Sequence, residues 1–491
     1  MFDLKTDVRQ LLISLDQQVV LGTAYDTAWV ARVPENGNPS ALAFPHTLDW
    51  LRQNQHSDGS WGSLIEFYHD RVISTMAALV VLNEFGTPNG DAEAIQRGEN
   101  YLHQHFRFLH RDPCETVGFE LIFPTLLEKA WQLDMSLPYT QCDRYYRMRE
   151  EKLHLIPPEL IYSRKVTSTH SLEFMGSDLD IDRTIELQEK NGSFGNSPSA
   201  TAYFLRECRD NPEARRYLAE AIDAGGGVAM PLHPVEIFNK SWALYNLSLA
   251  GFLDDPSDEL RVHLDFLYQT WDARRGVGFS RQYSVPDLDD TAVVFKLLRL
   301  AGYDVDPAVF LTYEKENHFV CFPYERTPSI GVHVHLLDAL RVCPEYEHQP
   351  RMVRKALDFC RTQLHKCRWF DKWHASPYYI IAHAAIAAIG YDNELARELV
   401  SCIIASQRAV GDWGYYCPTG EETAYCLQAL ILYHREVEPL DRGILARAAE
   451  RLYDYYQTQN YPALWIDKCL YTPLRVVQSA MTSALRMYET L

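Results

Sequence analysis

Gln55-His56-Ser57-Asp58-Gly59-Ser60-Trp61 returns as Gln188-Glu189-Lys190-Asn191-Gly192-Ser193-Phe194 and again as Gln407-Arg408-Ala409-Val410-Gly411-Asp412-Trp413. All three fit Gln-x-x-x-Gly-x-aromatic, and each follows one stretch of helical spacing and precedes another. Glycine permits a tight turn, the aromatic ring plugs the gap between neighbouring helices, and glutamine bonds nearby backbone groups. Recurrence of this kind points to stacked helix pairs. The uneven distances between copies favour barrels of concentric helices over an open solenoid. The repeats read as structural staples and carry no chemistry.

Outward from the staples, apolar residues recur at i, i+3 and i+4 in Val72–Phe85, Phe123–Leu133, Ser241–Leu253, Thr291–Ala301, Tyr378–Ile389 and Thr423–Tyr433. Turns containing Pro and Gly separate them, and β-alternation is scarce, so the expected fold is all-α. Ala224-Gly225-Gly226-Gly227-Val228 marks the expected boundary between a unit of residues 18–224 and a second of 225–491. An amphipathic N-terminal helix, residues 1–17, is expected to join the second unit.

A chain of 491 residues, 47% of them hydrophobic, can bury a large core. No apolar run reaches the roughly 18 to 20 residues of a membrane span, and the N-terminus does not read as a signal peptide, so a cytoplasmic location is expected. Eleven cysteines without a CxxC pair suggest neither a disulfide framework nor a zinc cluster. A net charge of −19 argues against nucleic acid as a partner, while leaving room for an anionic ligand at a local basic site. The 29 Tyr, 21 Phe and 10 Trp supply both core and the material for an aromatic-lined cavity.

Between Pro286 and the apolar run from Thr291 lies Asp287-Leu288-Asp289-Asp290. Three carboxylates within four positions raise one another's pKa, so one proton can be retained and shared near neutral pH. An acid kept protonated beside apolar surface could protonate a very weak base, such as a carbon–carbon double bond. The plain alternative is an acidic cap on the helix that follows.

Other phrases join this one. They are Thr23-Ala-Tyr-Asp-Thr-Ala-Trp29, Gly118-Phe-Glu-Leu-Ile-Phe-Pro124, His170-Ser-Leu-Glu173, Gly192 to Thr201, Asp371-Lys-Trp373 and Glu421-Glu-Thr-Ala-Tyr425. In this order, with the DxDD tetrad, they resemble the class II diterpene cyclases, the copalyl-diphosphate-synthase-like enzymes, through nearly the whole chain. The resemblance implies two α-barrels, the γ and β domains, with the active cavity between them and no class I α domain. It implies protonation-initiated cyclisation of a prenyl diphosphate with the diphosphate retained. Asp289 would be the proton donor, Asp287 and Asp290 would tune and orient it, and His335 would stand behind it, with His333 as neighbour. The cations that follow need a dry cavity with π faces, for which Trp373, Tyr378, Phe279 and Tyr283 are the wall candidates.

By the same resemblance Lys372 and Arg144 would bind diphosphate, with Lys152 as a further candidate. Mg2+ is the expected cofactor, but the acidic motif is reduced to Asp112 and Glu115. A class I terpene synthase or a phosphatase acting on the product is the expected partner downstream. The plant enzymes of ent-gibberellin biosynthesis remove the last proton with a His and an Asn, and the matching positions here are Tyr162 and Pro231. A phenol is a poor base near neutral pH and proline has no side-chain acceptor, so hydride and methyl shifts gain time. A rearranged halimane or clerodane such as kolavenyl diphosphate is expected, unless His233 or a water restores simple deprotonation to a copalyl product. Farnesyl diphosphate, giving drimenyl diphosphate, is the alternative substrate.

Three other readings compete. Asp254-Asp255-Pro256-Ser257-Asp258 imitates the DDxxD of class I synthases, but Pro256 breaks the helix that would align it. A prenyltransferase β subunit would need an Asp/Cys/His zinc site, and no convincing set stands out. A helical scaffold without activity would explain the staples but not the acid tetrad.

Overall fold

Helix Pro377–Ala388 shows how these sequences fold locally. Ser376 accepts the Tyr378 N–H at 3.1 Å, Pro377 takes the first turn where its missing N–H costs nothing, and a run of Ile and Ala follows. Gly390, at φ +79°, then turns the chain into helix Asn393–Ala405, capped by Asp392. The computed structural model describes residues 4–17, 20–87, 90–177, 179–254, 256–365 and 370–491. Residues 1–3 of the expected N-terminal helix and Asp255 of the DDxxD-like cluster lie outside them. Among the described residues the strands form only two short ribbons, Pro34–Glu35 with Asn38–Leu42 and Trp465–Ile466 with Leu470–Tyr471. The fold is all-α. No helix among the described residues is long and apolar enough to cross a membrane.

The three staples share one geometry. Gln55 Nε2 donates to Gly59 O and Ala94 O, both at 2.8 Å. Gln188 Nε2 donates to Gly192 O, and Gln407 Nε2 to Gly411 O and Ile444 O. Each amide thus closes its own turn and ties it to a neighbouring helix, Gln188 through Asn211, the N-cap of helix Pro212–Ala224. The glycines are obligatory: at Gly411 φ is +101° and a Cβ would lie 2.4 Å from Arg447 O. Trp61 and Trp413 are fully buried and donate Nε1–H to Leu51 O and Ile403 O, which satisfies their polar edge inside the core.

Buried apolar residues gather around two main centres. One is built from residues 24–229, the other from 8–20 and 230–487. The ribbon Trp465–Tyr471 crosses between them. Trp465 packs in the second core, whereas Cys469 packs in the first. Lys468, fully buried, donates to Glu173 Oε1 at 2.8 Å, His170 O at 2.9 Å, Ser197 Oγ at 2.6 Å and Ser199 Oγ. Asp467 accepts from His170 Nε2 at 2.9 Å, and Leu470 N donates to Asp70 Oδ1. Burial alone would strip the Lys468 proton; the carboxylates of Glu173, Asp26 and Asp467 outweigh it and hold the ammonium. This plug fixes the two helical units against each other beside the acid tetrad.

Candidate active site

The tetrad begins helix Leu288–Leu300, and its loop is pinned before the helix starts. Asp287 N donates to Val277 O, Leu288 N to Cys321 O, and Thr291 Oγ1 exchanges hydrogen bonds with both Val277 N and Val277 O. Gly276 is required there, since φ is +73° and a Cβ would meet Thr291 Oγ1 at 2.1 Å. Asp287 is the N-cap, its Oδ1 accepting from Asp290 N at 2.8 Å. The capping alternative is therefore real for Asp287. It does not account for the other two acids.

Successive helix positions rotate by about 100°, so Asp289 and Asp290 face different ways. Asp290 is buried, with Oδ1 lacking any partner. Burial, then the Asp287 and Asp289 carboxyls, push Asp290 well above the ordinary carboxylate range, with the Trp242 indole N–H acting the other way. Burial and Asp289 likewise raise Asp287, to about 7. Asp289 is the one acid of the three whose side chain keeps some exposure, 14%. Its Oδ1 lies 2.6 Å from His335 Nδ1, and His335 Nε2 lies 2.9 Å from His383 Nδ1.

The last histidine defines the direction of this chain. His383 Nε2 is buried without a partner, and an unpaired lone pair there leaves Nδ1–H as the donor. His383 then donates to His335 Nε2, and His335 donates Nδ1–H to Asp289. Burial first, and His335 second, hold His383 far below the usual imidazole range, so it stays neutral. One turn beyond His335, Asp338 pairs with Lys296 at 2.5 Å and accepts from Tyr245 OH at 2.9 Å. Burial would raise that acid, but the Lys296 ammonium outweighs it and holds it at about 2.

Aromatic rings continue from the histidines. Trp242 meets His335 edge-on at 4.6 Å, Trp465 meets Trp242 at 5.9 Å and Tyr379 at 5.2 Å, and His374 stacks on Tyr379 at 4.6 Å. Of the four expected wall residues, Tyr378 is a correction. It is half-buried against the second core beside Ser406, and the next residue, Tyr379, joins the ring cluster. Phe279 and Tyr283 stack on each other at 4.4 Å, and Tyr283 is raised by burial first, then by Glu189 and Asp287. Trp373 is half-buried, with the Lys372 ammonium 5.0 Å over its ring.

Basic groups from both units meet nearby. Lys372 pairs with Glu325 and donates to Thr327 O at 3.1 Å; burial lowers it, Cys321 and Asp289 pull it up, and Lys152 of the first unit repels it. Lys152 pairs with Glu120 and is lowered by burial against the pull of Glu115. Glu115 is raised by burial and drawn down by Lys152 and Arg144. Arg144 lies 4.6 Å over the Tyr145 ring and donates to its hydroxyl.

Two expected site residues are otherwise engaged. Asp112 accepts at Oδ2 from His69 N at 2.7 Å and His69 Nδ1 at 2.8 Å, leaving only Oδ1. Tyr162 accepts the Asp180 N–H at 2.9 Å and lies under the Arg183 guanidinium, both residues of the first unit. His333 is a core residue: Nε2 accepts from Phe319 N, Nδ1 faces Ser329 O, and burial lowers it to about 3. His233 keeps Nδ1 unpartnered and is lowered by burial to about 4. In the DDxxD-like stretch, Ser257 caps helix Asp258–Thr270, a structural duty. Among the described residues no group of three or more His, Cys, Asp or Glu is arranged to hold one metal ion.

No family model matches the chain. A type B diterpene cyclase of Mycobacterium tuberculosis is 36% identical to it over 492 residues, spanning 96% of each protein. The chain belongs to the class II diterpene cyclases. Such cyclases are isomerases, and this one is copalyl-diphosphate-synthase-like. An ent-copalyl diphosphate synthase of Isodon eriocalyx is 32% identical over 381 residues, covering 76% of this cyclase and 49% of the plant protein. The solved ent-copalyl diphosphate synthase from Streptomyces platensis matches with a TM-score of 0.80 and 26% identity, over 99% of this cyclase and 100% of that chain. The Arabidopsis thaliana enzyme, solved with (S)-15-aza-14,15-dihydrogeranylgeranyl thiolodiphosphate, matches with a TM-score of 0.76 and 26% identity, over 98% of this cyclase and 63% of that chain.

Sequence reasoning brought Asp289 and His335 together but missed His383, Trp242, Tyr379 and Trp465. His383 sits in the apolar run Tyr379-Ile-Ile-Ala-His-Ala-Ala, where a lone imidazole is the only polar ring. That isolation is the signal that could have found it, because a buried imidazole needs a partner.

Proposed function

We propose that this cyclase protonates the terminal alkene of geranylgeranyl diphosphate and closes it to a bicycle with the diphosphate still attached. The observation that carries the reading is Asp289: the partly exposed acid of a buried trio, hydrogen-bonded to the first of two linked histidines beside an aromatic wall. In the proposed step the alkene π pair takes the Asp289 proton, forming a C–H bond and a tertiary cation. The carboxylate left behind is met by the His335 Nδ1–H, already aimed at it. Asp287, raised by burial and Asp289, and Asp290, raised by burial and by both other acids, share a proton and so limit the negative charge facing Asp289. The cation then meets the faces of Trp242, Tyr379 and Trp465, each worth about 0.5 to 2 kcal/mol.

The diphosphate would lie against Lys152, Arg144 and Lys372, at the junction of a first unit read as the γ domain, 18–224, and a second read as the β domain, 225–491. Mg2+ fits this place as an ion held mainly by phosphate oxygens, with Glu115 and the free oxygen of Asp112 as protein ligands, because it keeps few carboxylates and many other oxygens. When bound, it would supply positive charge that anchors the diphosphate. Tyr162 and Pro231 stand, by the resemblance, where plant enzymes carry His and Asn, which supports a rearranged halimane or clerodane skeleton such as kolavenyl diphosphate. His233, neutral and with a free Nδ1, favours the second reading, simple deprotonation to a copalyl skeleton. Purified protein offered geranylgeranyl and farnesyl diphosphates, followed by dephosphorylation and mass spectrometry, separates these outcomes. A linear alcohol as sole product from both substrates refutes the reading.

A further inference from the structure

Glu421 lies at the start of helix Gly420–Glu436 and is 3% exposed. Its Oε1 accepts from Trp465 Nε1 at 2.7 Å, Tyr425 OH at 3.2 Å and His374 Nε2 at 3.3 Å. His374 Nδ1 accepts from Ser376 N, so its proton is on Nε2, facing the acid. Three donors converging on one oxygen is the pattern of a carboxylate. Among the described residues no lysine or arginine pairs with it, and the His374 ring is its only ion-pairing neighbour. A buried carboxylate without a cation is costly and is retained where a positive charge visits. Trp465 and His374 are rings of the wall, Tyr425 packs on Tyr379 at 5.5 Å, and Trp465 is two rings away from His335 through Trp242. An indole whose N–H donates to a carboxylate has a more electron-rich face.

Resting on the function proposed above, we propose that Glu421 is a positioning residue and the counter-charge of the cyclising cation. Acting through Trp465, Tyr425 and His374, it draws positive charge away from the Asp289 end and so sets where cyclisation stops. Calorimetry should use two probes: a prenyl diphosphate carrying an ammonium nitrogen at a would-be cationic carbon, and its neutral carbon isostere. The expected loss for Glu421→Gln is about tenfold on the ammonium probe, the scale of one buried cation–π contact, with the carbon probe bound as before. Glu421→Asp, which keeps the charge, restores most of that loss, and Glu421→Gln turnover gives an altered product ratio. Equal losses on both probes, or none on either, overturn the proposal. Failure of the unaltered protein to bind the carbon probe overturns the underlying function instead.

Discussion

Replacing Lys468 by Met removes the centre of the plug between the two helical units. The ammonium and the Glu173 carboxylate are both fully inaccessible and 2.8 Å apart. With Lys468 gone, Glu173 keeps one side-chain donor, Tyr25 OH at 2.8 Å, and its Oε2 already has none. Ser197, Ser199 and His170 O lose a donor as well. Breaking a buried pair from one side costs about 3 to 5 kcal/mol, against about 0 to 1 kcal/mol for a surface pair. The lower value alone is more than a hundredfold in the folding equilibrium. Urea unfolding followed by tryptophan fluorescence should show a transition lowered by that amount, and Lys468→Met with Glu173→Gln should recover at least half. A change below about 1 kcal/mol in the single variant refutes the plug as a source of stability. Because the same ribbon carries Trp465, the destabilised protein should also lose turnover under conditions where it remains folded.

Burial and Asp289 raise Asp287 from 3.8 to about 7, so the folded state binds more protons there than the unfolded state. Stability from this group is present at low pH and is lost as pH rises through 7; a thermal midpoint measured from pH 4 to 8 should depend less on pH in Asp287→Asn than in the unaltered protein. His383→Leu removes the donor to His335 Nε2 and should lower kcat about ten- to a hundredfold with KM little changed, as steady-state kinetics would show. Lys152→Ala and Lys372→Ala should each raise KM for the diphosphate substrate about tenfold, and the salt dependence of KM should weaken in both.

What could be read in the chain follows from how local each feature is. The staples were legible because glutamine, glycine and ring act within seven residues, and the tetrad because four residues hold the whole cluster. His335 was named with His333 as its neighbour, and packing separates them: His333 is closed off by Phe319 N and Ser329 O, whereas His335 faces Asp289. Choosing Tyr378 over Tyr379 is a shift of one residue, which on a helix rotates the ring by about 100°, from the ring cluster to a place beside Ser406. Trp465 lies in a two-residue strand and Lys468 in the turn that follows it, too short a ribbon to show alternation, so nothing in their spacing announces that they bridge two cores. Glu421 entered only as part of the phrase Glu421 to Tyr425, and the three rings that converge on it distinguish it from Glu422, which bonds Ser376 and Thr419. Asp112 and Tyr162 also bond His69 and Asp180, partners that no local spacing announces.

Turnover of geranylgeranyl diphosphate by Asp289→Asn, measured beside the unaltered protein, tests the central claim most directly. Amide for acid keeps the shape and an acceptor for His335 but removes the proton, so the rate should fall about a hundred- to ten-thousandfold while the substrate still binds. Undiminished formation of a cyclic diphosphate by this variant would contradict the account.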